Sequence, residues 1–221
     1  MKQNIKSTIS ILVVAVYLLS VNKSIAQVAD IDGNTYKTVI IGNQEWVSEN
    51  LNVSHYRNGD LIPQVQEADK WSNLTTGAWC FYENETTNGK TYGKLYNWYA
   101  VNDSRGLAPA GWHIPTDAEW QELVEFLGGD AIAGGKLKAT TSWKSPNEGA
   151  TNESGFSAFP GGTRSTNGNF GTIGKYGNFW SSSEFNFKFA WDRYLGYYNS
   201  GVYRYYYYKE NGLSCRCVRD Y

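Results

Sequence analysis

Histidine is nearly absent: His55 and His113 are the only two in 221 residues. Set beside three cysteines, Cys80, Cys215 and Cys217, they form no helical His pair, no C-x-x-C and no cluster with zinc-ligating spacing. His113 stands between Trp112 and Ile114, a setting for packing and hydrogen bonding rather than catalysis. The Ser-rich run "WSSSE" from Trp180 to Glu184 has no histidine in a context that would make it a partner base. Glycines recur at three-residue spacing in "FGTIGKYGNFW", but no strand and helix flank them as around a phosphate loop, so they read as turns. These gaps argue against an enzyme. They also argue against any cofactor beyond a structural calcium ion, for which the loops hold Asp, Asn and Glu without EF-hand spacing.

Long apolar runs are missing too. The longest, "ISILVVAVYLLSV", has 13 residues, well short of the ~20 that a membrane-spanning helix needs. It follows Lys2 and Lys6 and precedes Ser24-Ile25-Ala26, the order of a secretory signal peptide cut between Ala26 and Gln27. No cysteine sits near the cut to take a lipid. The expectation is a signal peptide over residues 1–26 and one exported domain over residues 27–221, with no transmembrane segment, in the periplasm, at the cell surface or outside the cell. Without Lys2, Lys6 and Lys23, 17 basic residues face 21 acidic ones, a net charge of −4. Such a chain has no electrostatic footprint for nucleic acid or anionic lipid.

What the chain has in quantity is aromatic residues and glycine: nine Trp, 17 Tyr, nine Phe and 23 Gly. With few amphipathic stretches, this composition predicts a loop-rich and strand-rich domain. The opening "DIDGNTYKTVIIGNQEWVSENL" reads as strand, turn, strand, with turns at Asp32-Gly33 and Gly42-Asn43. Residues 52–94 show no helical period, and "KLYNWYAVND" fits a short helix or a strand. One helix is well signalled. In "GWHIPTDAEWQELVEFLGG", Thr116 and Glu119 have the capping-box spacing, and Trp120, Leu123, Val124 and Leu127 form one apolar stripe. Glu119, Glu122 and Glu125 then read as its solvated face, with Glu119 used in the cap. From Gly134 onward the strand candidates are "GFSAFPGGTR", "GNFW", "FAWDRYLGYY" and "LSCRCVRDY". An odd number of cysteines permits at most one internal disulfide, and Cys80 with Cys217 is the expected pair.

Six motifs occur in order: "DIDGNTYKTVIIGNQEWVSENL", "YGKLYNWYAV", "GWHIPTDAEWQEL", "GFSAFPGGTR", "FWSSSE" and "GLSCRCVRD". Together they resemble the Fibrobacter succinogenes major paralogous domain over almost the whole exported chain. The resemblance implies a C-type lectin-like fold, α+β, with twisted antiparallel strands, one or two helices and long loops. "IPTDAEW" and "RCVRD" are also similar to the formylglycine-generating branch of that fold. That branch, however, uses two cysteines five positions apart, where this chain has Cys215-Arg216-Cys217. The family's usual ending carries a valine where Cys215 stands, which makes Cys215 the odd thiol.

The C-terminal segment concentrates eight tyrosines between Tyr194 and Tyr208. It resembles the rewritten segment of variable proteins in diversity-generating retroelements, where mutation at template adenines yields Tyr, Phe, Asp, Gly, Ser or Asn. Phe185, Phe187, Phe189, Asp192, Tyr194, Gly196, Tyr197, Tyr198, Gly201, Tyr203, Tyr205, Tyr206, Tyr207 and Tyr208 all satisfy that set, and Ala190, Trp191, Arg193, Leu195, Val202 and Arg204 read as framework. Four consecutive tyrosines on a strand cannot all face inward. Tyrosine gives large contact area at low entropic cost, and with Asn199 in the adjoining turn the segment has the composition of a binding loop. Trp180 and Trp191 read as strand packing instead. The sequence therefore predicts a non-enzymatic protein that presents this surface to a protein or glycan ligand. Two other classes stay open: a carbohydrate-recognition or structural module of the cell envelope, and an enzyme related to the formylglycine-generating branch.

Overall fold

Strand β1 (Gln27–Ala29) pairs antiparallel with β2 (Thr35–Ile41) across Asp32-Gly33, and β2 turns at Gly42-Asn43 into β3 (Gln44–Val47), the expected strand, turn, strand. The computed structural model describes residues 26–221, so the expected signal peptide, Ala26 apart, lies outside the described residues. Residues 52–94, without a helical period, nonetheless hold two helices, α1 (Ala68–Ser72) and, beyond β4 (Trp79–Cys80) and a 3-10 turn at Tyr82–Asn84, α2 (Thr86–Tyr92). They are five and seven residues long, too short to display a 3.6-residue repeat. "KLYNWYAVND" supplies both elements it could fit. β5 (Leu95–Tyr96) pairs with β4, and α3 (Trp98–Val101) follows, capped by the Asn97 side chain accepting from the Ala100 N–H.

Helix α4 (Asp117–Phe126) has the predicted start: Thr116 Oγ1 accepts from the Glu119 N–H, and the Glu119 carboxylate accepts from the Thr116 N–H. Trp120, Leu123, Val124 and Leu127 are buried, as the stripe requires. His113 Nε2 lies 2.5 Å from Glu119 Oε1, the hydrogen-bonding role its context implied. Burial would raise the Glu119 carboxyl, but the bonds from His113 and Thr116 outweigh it and hold it down at about 2. Thr116→Ala is expected to cost about 1 kcal/mol, read as a lower urea midpoint with unchanged slope.

The remaining elements are α5 (Ala133–Leu137), β6 (Thr163–Arg164), β7 (Phe170–Gly171), β8 (Tyr176–Glu184), β9 (Phe189–Gly196), β10 (Val202–Tyr208) and β11 (Val218–Asp220). Four strands form one sheet in the order β1-β2-β3-β11, three form another in the order β10-β9-β8, and β4-β5 and β6-β7 are ribbons. The strand pairs are antiparallel, so the domain is α+β, mostly antiparallel sheet with few and short helices. Among the described residues no helix is long and apolar enough to cross a membrane.

Large aromatics fill three core clusters: one around Trp79, Trp98, Trp112 and Trp180, one beneath α4 around Trp46, Trp120, Phe156 and Phe179, and a third around Trp71 and Leu95. The expected Cys80–Cys217 bridge is not formed, and all three cysteines are free thiols. Cys80 lies in the third cluster, whereas Cys215 and Cys217 lie together in the first, on the shared face their spacing gives them. Arg216 between them enters the second cluster, with Cζ 4.4 Å from the Phe156 ring centroid.

Candidate functional site

In the three-stranded sheet β9 is central and β10 is an edge, with no further strand beyond it among the described residues. Because successive strand residues face opposite sides, the register sorts the hairpin in two. Phe189, Trp191, Tyr206 and Tyr208 share one face with Arg193, Leu195, Val202 and Arg204; Tyr194, Tyr203, Tyr205 and Tyr207 share the other with Ala190 and Asp192. Leu195 and Val202 anchor the first face in the cluster beneath α4, and Ala190 anchors the second against Trp180.

Two fixings hold this hairpin. Arg193, 1% exposed, donates from Nη1 to Asp117 Oδ1 at 2.6 Å, and Arg204 donates from Nη2 to Asp117 Oδ2 at 2.9 Å. Burial would raise Asp117, but both arginines outweigh it and keep the carboxyl low, so it stays a charged clamp at the start of α4. At the other end, buried Lys138 donates to the carbonyls of Glu148, Gly196 and Asn199 at 2.7, 3.1 and 2.7 Å. The turn there packs on α5 so closely that a Cβ at Gly134 would lie 2.2 Å from the Gly201 oxygen. The glycines of α5 thus mark a backbone contact, not the turn their composition suggests.

On this frame the rings form a continuous chain. Tyr197 meets Tyr198 at 5.5 Å between centroids, Tyr198 meets Tyr176 at 6.1 Å, and Tyr176 meets Tyr194 at 6.0 Å. Tyr194 stacks on Tyr203 at 4.8 Å and meets Tyr205 edge-on at 6.4 Å. Tyr205 stacks on Tyr206, which stacks on Phe185, and Phe189 contacts both Tyr206 and Tyr208. Phe185, Phe187, Tyr198, Tyr203, Tyr205 and Tyr208 are exposed, Phe187 most of all at 80%. Phe189, Tyr194, Tyr197 and Tyr206 are half-buried. More of the run is open than strict alternation predicts, because an edge strand can show both faces where it overhangs the core.

Five candidates sit apart from the exposed surface. Tyr207 turns inward and packs against the first cluster. Gly196 and Gly201 are buried. Asp192 is fully buried, since it stands on the central strand between Trp180 and Tyr205. Asn199 is half-buried and serves the turn, donating to the Tyr203 hydroxyl at 2.8 Å and accepting from the Gly201 N–H at 3.0 Å. Of the two tryptophans read as strand packing, Trp180 is buried, but Trp191 is half-exposed with the Arg204 guanidinium 3.4 Å over its ring.

A cleft of about 400 Å³ opens beside the chain of rings, lined by Thr163, Thr172, Tyr176, Asn178, Tyr194, Tyr205 and Tyr207. Tyr176 and Thr172 come from the glycine-spaced stretch read only as turns, and the sequence signal that would have found them is the aromatic residue opening the "YGNFW" strand. Among the described residues no three His, Cys, Asp or Glu side chains converge as a metal site.

Fold and surface together define an α+β domain of antiparallel sheets whose C-terminal hairpin carries an aromatic edge. Residues 39–219 match the Fibrobacter succinogenes major domain, and the chain belongs to that family. No curated protein and no solved structure matches the chain.

Proposed function

We propose that this is an exported, non-enzymatic ligand-binding domain of C-type lectin-like fold, whose β9–β10 hairpin meets a protein or glycan partner. The observation that carries the reading is the unbroken chain of rings from Tyr197 to Tyr208, held on a rigid frame with six large aromatic side chains exposed around it. A patch of that kind is an aggregation liability without a partner, and rigid Tyr side chains are the usual anchors of interfaces. The chemistry of the thiols supports the non-catalytic reading: all three are buried, and burial pushes Cys80 up to about 12 and the other two upward as well, away from the reactive thiolate. Diversification belongs to the same proposal. Ala190, Arg193, Leu195 and Val202 are buried as a fixed framework would be, while the candidate positions Phe185, Phe187, Tyr198, Tyr203, Tyr205 and Tyr208 are exposed; Asp192, Gly196 and Gly201 are buried with the framework. A near-copy of the 3′ coding segment differing at adenines, beside a reverse transcriptase gene, tests it.

Binding is tested on glycan arrays and in protein capture, comparing the wild type with a Tyr203→Ala, Tyr205→Ala, Tyr206→Ala, Tyr208→Ala variant. Tyr207 is left in place because it packs inward. Loss of the ligand in the variant is expected; retention overturns the reading.

A further inference from the structure

Beneath the outer rings the sheet carries a buried acid. The register sets Asp192 opposite Tyr205 on one side and Trp180 on the other, on the face that also bears Tyr194, Tyr207 and Asn178. Asn178, Tyr194, Tyr205 and Tyr207 all line the 400 Å³ cleft, and Asp192, on the same face and bonded to Asn178, stands behind that lining without itself reaching the cleft. Its Oδ2 accepts from Asn178 Nδ2 at a long 3.4 Å, and its Oδ1 has no hydrogen-bond partner among the described residues. The adjacent cation, Arg193, lies on the opposite face and is committed to Asp117. A buried carboxyl left so poorly matched is costly unless something else completes it.

The walls say what would complete it. Tyr176 and Tyr194 stand at 70°, Tyr194 and Tyr205 at 79°, and Tyr205 and Tyr207 at 72°, with centroids 5.9 to 6.4 Å apart. Rings at near right angles surround a small volume with π faces and edges, whereas a sugar ring is served by one open flat face. Tyrosine rings around a cleft backed by a buried acid favour a positive charge, and aromatic boxes are the established way to hold alkylammonium ions.

We propose that the cleft walled by Tyr176, Tyr194, Tyr205 and Tyr207 and floored by Asn178 binds an alkylammonium head group, with the Asp192 carboxylate as counter-charge. This rests on the reading of the tyrosine hairpin as a binding face. Burial raises Asp192 to about 8, against the weaker lowering effects of Asn178 and Arg193, so the empty cleft holds a protonated acid at neutral pH. Binding a cation therefore releases one proton from the Asp192 carboxyl to solvent. The other titratable groups facing it are phenols. Burial raises Tyr176 and Tyr194 and pushes Tyr207 up to about 12, so these stay neutral.

The test is calorimetric titration of the whole protein with choline, its uncharged isostere 3,3-dimethylbutan-1-ol, and Nα-acetyl-lysine methylamide. Choline, whose own charge is fixed, is expected to bind with Kd on the order of millimolar, and the alcohol is not. Affinity for choline should tighten roughly tenfold from pH 7 to pH 9 as Asp192 ionises, with proton release detected as a heat that depends on the buffer. Asp192→Asn and Tyr205→Ala should each weaken it about tenfold or more; the second variant alters a half-exposed ring and guards against misfolding of the first. Binding of the lysine amide as tight as choline assigns a protein side chain as the source, and choline alone assigns a quaternary head group. Equal binding of the alcohol, no binding of choline, or choline binding unchanged in Asp192→Asn overturns the proposal. If choline fails while the four-tyrosine variant still loses its partner, the cleft is wrong and the binding face stands. If the variant keeps its partner, the face itself is wrong.

Discussion

Arg216→Ala is expected to leave the chain without a stable fold at room temperature. The guanidinium is fully buried and donates to Asn50 Oδ1 at 2.8 Å and to the carbonyls of Val47, Phe156 and Ser157 at 3.0, 2.6 and 2.6 Å. It thereby ties the first sheet to the loop before β6 while stacking on Phe156. Truncation strands four acceptors and empties a core position. At roughly 1–3 kcal/mol for each stranded group, plus a cavity of a few kcal/mol, the loss rivals the whole 5–15 kcal/mol stability of a typical domain. Lysine cannot replace the planar fork, so Arg216→Lys should also be severe, a loss on the order of 3 kcal/mol or more. Urea unfolding and limited proteolysis read both variants. A midpoint close to that of the wild type would contradict this account of "RCVRD".

Asp192→Asn is expected to act in the opposite direction and to depend on pH. The folded-state carboxyl sits at about 8 against an ordinary 3.8. A raised acid contributes stability that is fully present below about pH 3.8 and is lost as pH climbs through 8, because the unfolded chain ionises first. Asparagine keeps the acceptor for Asn178 without that loss. The variant should match the wild type near pH 4, gain through pH 5–7, and level off above pH 8 with an advantage on the order of 2–5 kcal/mol. Urea midpoints measured across that range check it; a constant difference, or a loss at pH 8, would show that the carboxyl is already compensated. A variant more stable than the parent and weaker for choline is the pattern expected where a binding group sits in an unfavourable place.

Much of the frame was legible because its signals are local. Thr116 and Glu119 announced α4 through a spacing that satisfies two N–H groups, and the first hairpin was marked by Gly33 and Gly42, which hold positive φ of 82° and 63°. Short helices escaped for the converse reason, since α1, α2 and α5 are too brief to repeat an apolar face. The tyrosine run marked the β9–β10 hairpin, whose strands its residues form. Residue type alone could not reveal that Tyr207 and Asp192 turn inward, because parity on a strand becomes burial only once the neighbours are known. Asp192 is covered because β9 is central, while Tyr205, directly opposite it, is open because β10 is an edge. The same limit governed the cysteines: their number allowed a bridge, but the chain places Cys80 and Cys217 in separate clusters.

The most direct measurement of the central claim is a side-by-side titration of the captured ligand against three proteins: the wild type, the Tyr203, Tyr205, Tyr206, Tyr208 alanine variant, and a control carrying Ile40→Ala and Phe126→Ala, two exposed apolar positions outside the hairpin. Tyrosine anchors at an interface are worth on the order of 1–2 kcal/mol each, so the four-tyrosine variant should bind at least about a hundredfold more weakly while the control matches the wild type. Equal affinity in the wild type and the four-tyrosine variant, or an equal loss in the control, would contradict the assignment of the binding face to the β9–β10 hairpin.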